Sequence, residues 1–167
     1  MVRDSEDAGQ SFRNAGIFID DAPPSALDMA VLRRTYETNV FGPVAATRAM
    51  LPLLQKSVAG RVVNMSSGLE SLAQTSDPGW EFAGVNLLAY NSSKTALNAV
   101  TVQFVNELRN TTIKVNSADP GYPATDMNHY QATRRVEQGA RAAVRPATLP
   151  PDGPTGGFFN ENGALPW

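Results

Sequence analysis

Apolar positions recur along this 167-residue chain in two alternating periods, one near two and one near three and a half. GRVVNMSS at 60–67 is a short β-branched run opened by glycine, and TIKVNSADPG at 112–121 is a second one closed by Pro-Gly; both predict buried strands. Between them, Leu97, Val100, Phe104 and Leu108 fall at spacings of three and four, predicting a long helix from about Leu88 to Arg109 with one face on a sheet. Upstream, 27–56 is helical in pattern with Gly42-Pro43 inside it. Because proline is tolerated in a first helical turn, this reads as a short helix running into a longer one, whose row Val44, Met50, Leu51 and Leu54 is buried. RRVEQGARAAV at 134–144 adds a helix and TGGFF at 155–159 a last strand. Strand and helix alternate throughout, the order of a parallel α/β sheet with helical crossovers. Residues 1–13 show neither period and read as an irregular lead-in to one α/β domain over 14–167.

Composition narrows the function classes. With 14 basic against 16 acidic residues, the net charge of -2 offers no basic field for nucleic acid and no polybasic membrane patch. No run approaches the roughly 18 apolar residues of a membrane span. The polar, acidic start, MVRDSEDAGQSFR, is unlike a secretory signal and points to the cytoplasm. Without cysteine there is no disulfide or thiolate chemistry, and with one histidine, His129, in a polar stretch, neither a metal cage nor a Ser-His pair is supported.

Candidate chemistry gathers at the carboxyl ends of the predicted strands, where ligands of open α/β sheets bind. Ser66 and Ser67 close the first strand; Asp119, Pro120, Gly121 and Tyr122 close the second. The helix between them carries YNSSK, and the four-residue step sets Tyr90 and Lys94 on one face. An ammonium beside a phenol favours the phenolate, which predicts a lowered tyrosine pKa and a general acid or base. Plain structural readings stand beside these: a turn at Asn14–Gly16, backbone satisfaction by Asn39, strand-end hydroxyls at Ser66 and Ser67, a surface Tyr90–Lys94 pair.

Five motifs in order, NAG at 14–16, TNVFG around Asn39, GRVVNMSS, YNSSK, and ADPG followed by Thr125, resemble the short-chain dehydrogenase/reductase family from about Asn14 to Trp167. The resemblance implies the C-terminal part of a Rossmann-like, doubly wound parallel sheet. It implies Tyr90 as the proton donor to a carbonyl oxygen, or the base in alcohol oxidation; Lys94 as the group lowering its pKa and holding a cofactor ribose; Ser67 as a donor to the substrate oxygen; and Asn39 as the anchor of a relay water. Asn14, Ala15, Gly16, Pro120, Gly121 and Thr125, with Tyr90 and Lys94, would hold NADP or NAD, and the helices at 43–56 and 88–109 would pair in a homodimer.

The chain also departs from the family. No G-x-x-x-G-x-G precedes NAG, so the N-terminal strands and the adenosine-binding half of the cofactor site are expected to be missing, roughly a third of a domain. Polar AGQSFR stands where an apolar strand would lead into NAG, and Pro123 has no N–H for a nicotinamide carboxamide. Ser67 and Tyr90 lie 23 residues apart, as in the carbonyl-reductase-like branch. The intervening loop, with Trp80 and Phe82, is expected to shape a pocket for a bulky carbonyl compound. The expected activity is NAD(P)(H)-dependent interconversion of a carbonyl and an alcohol. The alternatives are an inactive family remnant serving as a dimerisation module, and cofactor-free chemistry by Tyr90 or a Lys94 Schiff base.

Overall fold

A computed structural model describes residues 9–167. Its centre is a five-stranded sheet in the order β1 (Gln10–Arg13), β2 (Arg61–Met65), β3 (Lys114–Ala118), β4 (Phe158–Asn160), β5 (Gly163–Leu165). The first four strands are parallel and β5 returns antiparallel to β4. The helices are α1 (Met29–Tyr36), a π-helical turn over Glu37–Phe41, α2 (Gly42–Leu54), the one-turn α3 (Leu72–Thr75), α4 (Leu88–Leu108) and α5 (Val136–Ala147). This is the expected α/β, Rossmann-like arrangement.

Both sheet faces are covered, which is why β2 is buried at every position. Val62 and Val115 meet Leu54 of α2 and Leu108 of α4, joined by Ile113 and the half-buried Phe104 and Val105. On the opposite face Val63, Met65 and Ala118 pack against Ala143 and Ala147 of α5. The α4 side also carries buried polar contacts. Thr101 accepts a hydrogen bond from the Asn64 amide at 2.8 Å and shares one with Ser117 at 2.9 Å, while Ser66 donates to Asn98 at 2.8 Å. These side chains tie one face of α4 to two adjacent strands and fix its register.

Two elements differ from the sequence expectation. Gln10–Arg13, read as part of an irregular lead-in, is a strand paired in parallel with β2 over four residues; residues 1–8 of that lead-in lie outside the described residues. Its pattern is inverted, with Ser11 and Arg13 buried and Phe12 45% exposed, so hydrophobicity gives no signal for it. What makes it a strand is the edge of β2, whose backbone groups need partners: Arg61 N–H donates to Gly9 at 2.6 Å. The buried Arg13 guanidinium is held by Thr47 and Ser11. The second difference is β5. Asn160 accepts from the N–H groups of Asn162 and Gly163, closing a tight hairpin that ends with Trp167 stacked on Phe158 at 5.7 Å.

Thr101→Val removes the hydroxyl shared by Asn64 and Ser117 and leaves a buried amide unpaired. Unfolding free energy from urea denaturation is expected to fall by about 1–3 kcal/mol; an unchanged value would show that the polar row does not hold α4.

Candidate active site

β2 delivers Ser66 and Ser67 to the carboxyl edge of the sheet. A one-turn helix, Gly68–Glu70, follows directly, with Ser67 as its cap: the Ser67 hydroxyl accepts from Leu69 N–H at 3.2 Å, and the Glu70 carboxylate accepts from Ser67 N–H at 2.7 Å. Opposite stands the first turn of α4. Its exposed N–H groups are met by a carboxylate seventy residues upstream, Asp20, which accepts from Ala89 at 2.7 Å and Tyr90 at 3.0 Å. Asp20 therefore sets where α4 begins and so where Tyr90 stands.

Lys94, one turn on, is 5% exposed and donates to the Met65 carbonyl at 2.7 Å, pinning its ammonium at the end of β2. Its Nζ lies 5.7 Å from the Tyr90 ring centroid. A β-carbon on Gly16 would approach Nζ to 3.3 Å, so the absence of a side chain there leaves the ammonium its space. Ser67, Tyr90, Lys94, Asn39 and Gly16 are thus brought together. The ring edge of Phe18 closes on Tyr90 with centroids 5.5 Å apart.

Burial dominates the electrostatics. The Tyr90 phenol is pushed above its usual range by desolvation and then by the negative charge of Glu70; the Ser67 hydroxyl pulls it back only in part, and Asp119 adds to the rise. This corrects the expectation that Lys94 lowers the phenol. The lysine is itself lowered to about 8 by desolvation, with Glu70 acting against the fall. Glu70 is raised to about 7, again by desolvation first. Asp119 is raised by burial, while backbone N–H groups of Gly121 and Gly68 and the charge of Arg134 counter it.

Asn39 sits fully buried in the π-helical turn. Its amide donates to the Ile17 carbonyl at 2.9 Å and to Ser93 at 3.0 Å, and its oxygen accepts from Ile17 N–H at 2.8 Å. Both amide hydrogens are therefore engaged in bracing the NAG loop against α4. Gly121 adopts φ 68°, a left-handed turn held by Asp119 at 2.8 Å. Thr125 is occupied locally, in a reciprocal cap with Asn128. Trp80 and Phe82 pack edge to face on each other at 5.3 Å. They do not line the 560 Å³ groove between their loop and the outer side of α4; Ala83, Val85, Leu88, Asn91 and Thr95 are among the residues that do.

Sequence reading missed Asp20 and Glu70. Asp20 has no local signal, since its partners are on another element. Glu70 had one: Ser67-x-x-Glu70 has the spacing of a capping box.

Among the described residues, no group of three or more His, Cys, Asp or Glu side chains is placed to hold a metal ion, and no helix is long and apolar enough to cross a membrane. Residues 12–135 match the family described as short chain dehydrogenase. The chain is 36% identical over 139 residues to the short-chain dehydrogenase anuI of Penicillium roqueforti, covering 81% of this chain and 55% of that protein. It is 33% identical over 143 residues to the C-signal protein of Myxococcus xanthus, covering 84% of this chain and 81% of that one. Among solved structures, the carbonyl reductase Sniffer of D. melanogaster superposes with a TM-score of 0.81 at 31% identity, over 93% of this chain and 65% of that one.

Asp20→Ala removes both acceptors from the first turn of α4. A loss of about 0.5–2 kcal/mol is expected in chemical denaturation, with Asp20→Asn losing less; equal stability in all three proteins would contradict the capping role.

Proposed function

Because the chain belongs to the short-chain dehydrogenase/reductase family, we propose that Ser67, Tyr90 and Lys94 carry out NAD(P)(H)-dependent interconversion of a carbonyl compound and its alcohol in the cytoplasm. The observation that carries this reading is the meeting of the end of β2 with the first turns of α4: the Ser67 hydroxyl acts on the Tyr90 phenol, and a buried ammonium, pinned to the Met65 carbonyl, lies one helical turn away. Two hydroxyls facing one edge can both reach a third oxygen, and a substrate carbonyl is the natural occupant. The named activity of the Drosophila structural relative, carbonyl reduction, is of the same kind.

The nicotinamide half of the cofactor fits the residues present. Gly16 leaves room beside Lys94, and with one hydrogen bond to Met65 the ammonium keeps further donors for ribose hydroxyls. Asn14, Ala15, Pro120, Gly121 and Thr125 flank the same edge by resemblance. The adenosine half has no counterpart in a glycine-rich loop of this sequence. The bound nicotinamide supplies the hydride, or accepts it in the reverse direction.

The protein's part is proton transfer. A phenol raised above its usual range is protonated at neutral pH and so stands as the proton donor for carbonyl reduction. Ser67 orients the oxygen and stabilises its growing negative charge; Tyr90 delivers the proton to it; Lys94, still mostly an ammonium at pH 7, balances the phenolate left behind.

NADPH and NADH titrations, followed by quenching of Trp80 and Trp167, test the reading directly. Micromolar binding is expected, with carbonyl reduction that falls at least ~100-fold in Tyr90→Phe while nucleotide affinity is kept. Undiminished turnover in Tyr90→Phe would remove the proton-donor role. Silence toward both nucleotides would overturn hydride transfer by this chain, which spans little more than half of the Penicillium relative.

We also propose a homodimer paired through α2 and α4, where Val44, Val100 and Phe104 line an apolar hollow. Sedimentation is expected to give twice the 17.9 kDa chain mass, reduced to one chain by Val100→Glu; a wild-type monomer would overturn the pairing.

A further inference from the structure

Glu70 is a carboxylate in the wrong place for a surface residue: 2% exposed, it sits in the wall between the end of β2 and α4. One oxygen, Oε1, accepts from the Ser67 backbone N–H at 2.7 Å and from the Asn98 amide at 3.3 Å. Its own main-chain carbonyl accepts from the Thr95 hydroxyl at 3.0 Å. The second carboxylate oxygen, Oε2, is buried and makes no hydrogen bond among the described residues. A buried carboxylate with an unpaired oxygen is unfavourable unless a charge or a neighbouring element repays it. The groups facing it come from three elements: Ser66 and Ser67 at the end of β2, Tyr90, Lys94 and Asn98 on α4, and Asp119 at the end of β3, itself faced by Arg134. Lys94 is the cation of that set facing Glu70 itself.

We propose that Glu70 is a positioning residue of this site: its buried carboxylate, bonded to the Ser67 N–H and the Asn98 amide, fixes the Ser67 backbone against α4 and sets a negative charge in the wall that Lys94 shares. The inference rests on the reading that Ser67, Tyr90 and Lys94 act together, and it adds a fourth side chain that touches neither substrate nor cofactor. Geometrically, the residue 70 turn is tied to α4 at two heights: its carboxylate accepts from Asn98, and its main-chain carbonyl accepts from Thr95. Electrically, an anion on this spot acts in the same direction on its two neighbours. It keeps a proton on the phenol and keeps a proton on the amine, so both proton-bearing groups of the site are held in their donor forms. A residue at 70 with no acceptor would leave the Ser67 turn without its brace, and an uncharged one would leave the lysine exposed to the full effect of burial.

The test reads the free protein, with neither nucleotide nor substrate present. The chain has only the lysines Lys56, Lys94 and Lys114, so NMR titration of isotopically labelled lysine side chains resolves Lys94 once Lys94→Arg has assigned it. In Glu70→Gln the Lys94 midpoint is expected to fall from about 8, while Lys56 and Lys114 stay where they are; Glu70→Asp, which keeps the charge, is expected to restore it toward the wild-type value. A Lys94 midpoint that stays or rises in folded Glu70→Gln overturns the proposal. Should the variant not fold, the wild type decides through the Ser67 amide proton. Its shift is expected to titrate with a midpoint near that of Glu70, about 7, and an amide that stays constant from about pH 5 to about pH 9 overturns the proposal. Both readouts are independent of turnover. A protein that binds no nucleotide but shows these shifts sinks the hydride-transfer reading and keeps Glu70; one that reduces carbonyls without them does the reverse.

Discussion

The site depends on how α4 is seated. Leu97 and Leu108 bury apolar surface, which is non-directional and would tolerate a small rotation or slide of the helix. The row that cannot slide is polar: Thr101 on Asn64 and Ser117, Asn98 on Ser66, Lys94 on the Met65 carbonyl. Each bond is buried, so any displacement leaves unpaired groups in a low-dielectric interior, at about 1–3 kcal/mol apiece. The row climbs α4 in steps of three and four toward the carboxyl edge of the sheet. One turn above its last member stands Tyr90, where Asp20 caps the helix. The phenol is thus located from below by the core and from above by the cap.

The same burial decides the charge states. For Tyr90, Lys94 and Glu70 desolvation is the largest influence, and in each it favours the neutral form: phenol up, amine down, carboxyl up. Partner charges work around that common trend. The Glu70 anion reinforces it at the phenol and opposes it at the amine. A one-turn Tyr-Lys spacing alone suggests that the cation wins and acidifies the phenol. It does not, because Lys94 is buried beside a carbonyl while two acids, Glu70 and Asp119, also face the phenol.

The legible parts of the fold were those whose signal is local. β2, β3 and α4 announce themselves by period, and Ser67, Tyr90 and Lys94 by a strand end and a four-residue step. β1 was not legible because its alternation is reversed, with a guanidinium inside and a phenyl ring outside, and its strand state comes from the edge of β2. The hairpin of β4 and β5 is built from three-residue strands too short to show a period. The roles of Asp20 and Asn39 depend on partners 69 and 54 residues away, Ala89 and Ser93, which no window along the chain can pair. The loop between Ser67 and Tyr90 does wall a groove, through Ala83, Val85 and Leu87, whereas Trp80 and Phe82, its largest side chains, pack on each other instead.

The two sides of α4 explain why its inward face reads as only weakly apolar. Tyr90, Lys94, Asn98 and Thr101 turn toward the sheet and the site, while Asn91, Ser92, Thr95 and Ala99 turn toward the groove under the 68–87 loop. Polar groups therefore occur on both sides, with Ala89 and Leu97 buried among them, and a continuous apolar stripe runs lower down, at Phe104, Val105 and Leu108. Glu70 stands where those two sides meet, lining the groove while bonding to Ser67. A helix that had only to pack could bury leucine along its whole length. This one carries hydroxyls, amides and an ammonium along its upper half, and such groups are unfavourable in a core unless each finds a partner. That the sheet and the 68–70 turn supply those partners nearly one for one is the physical reason to read the upper half of α4 as a site and its lower half as scaffold.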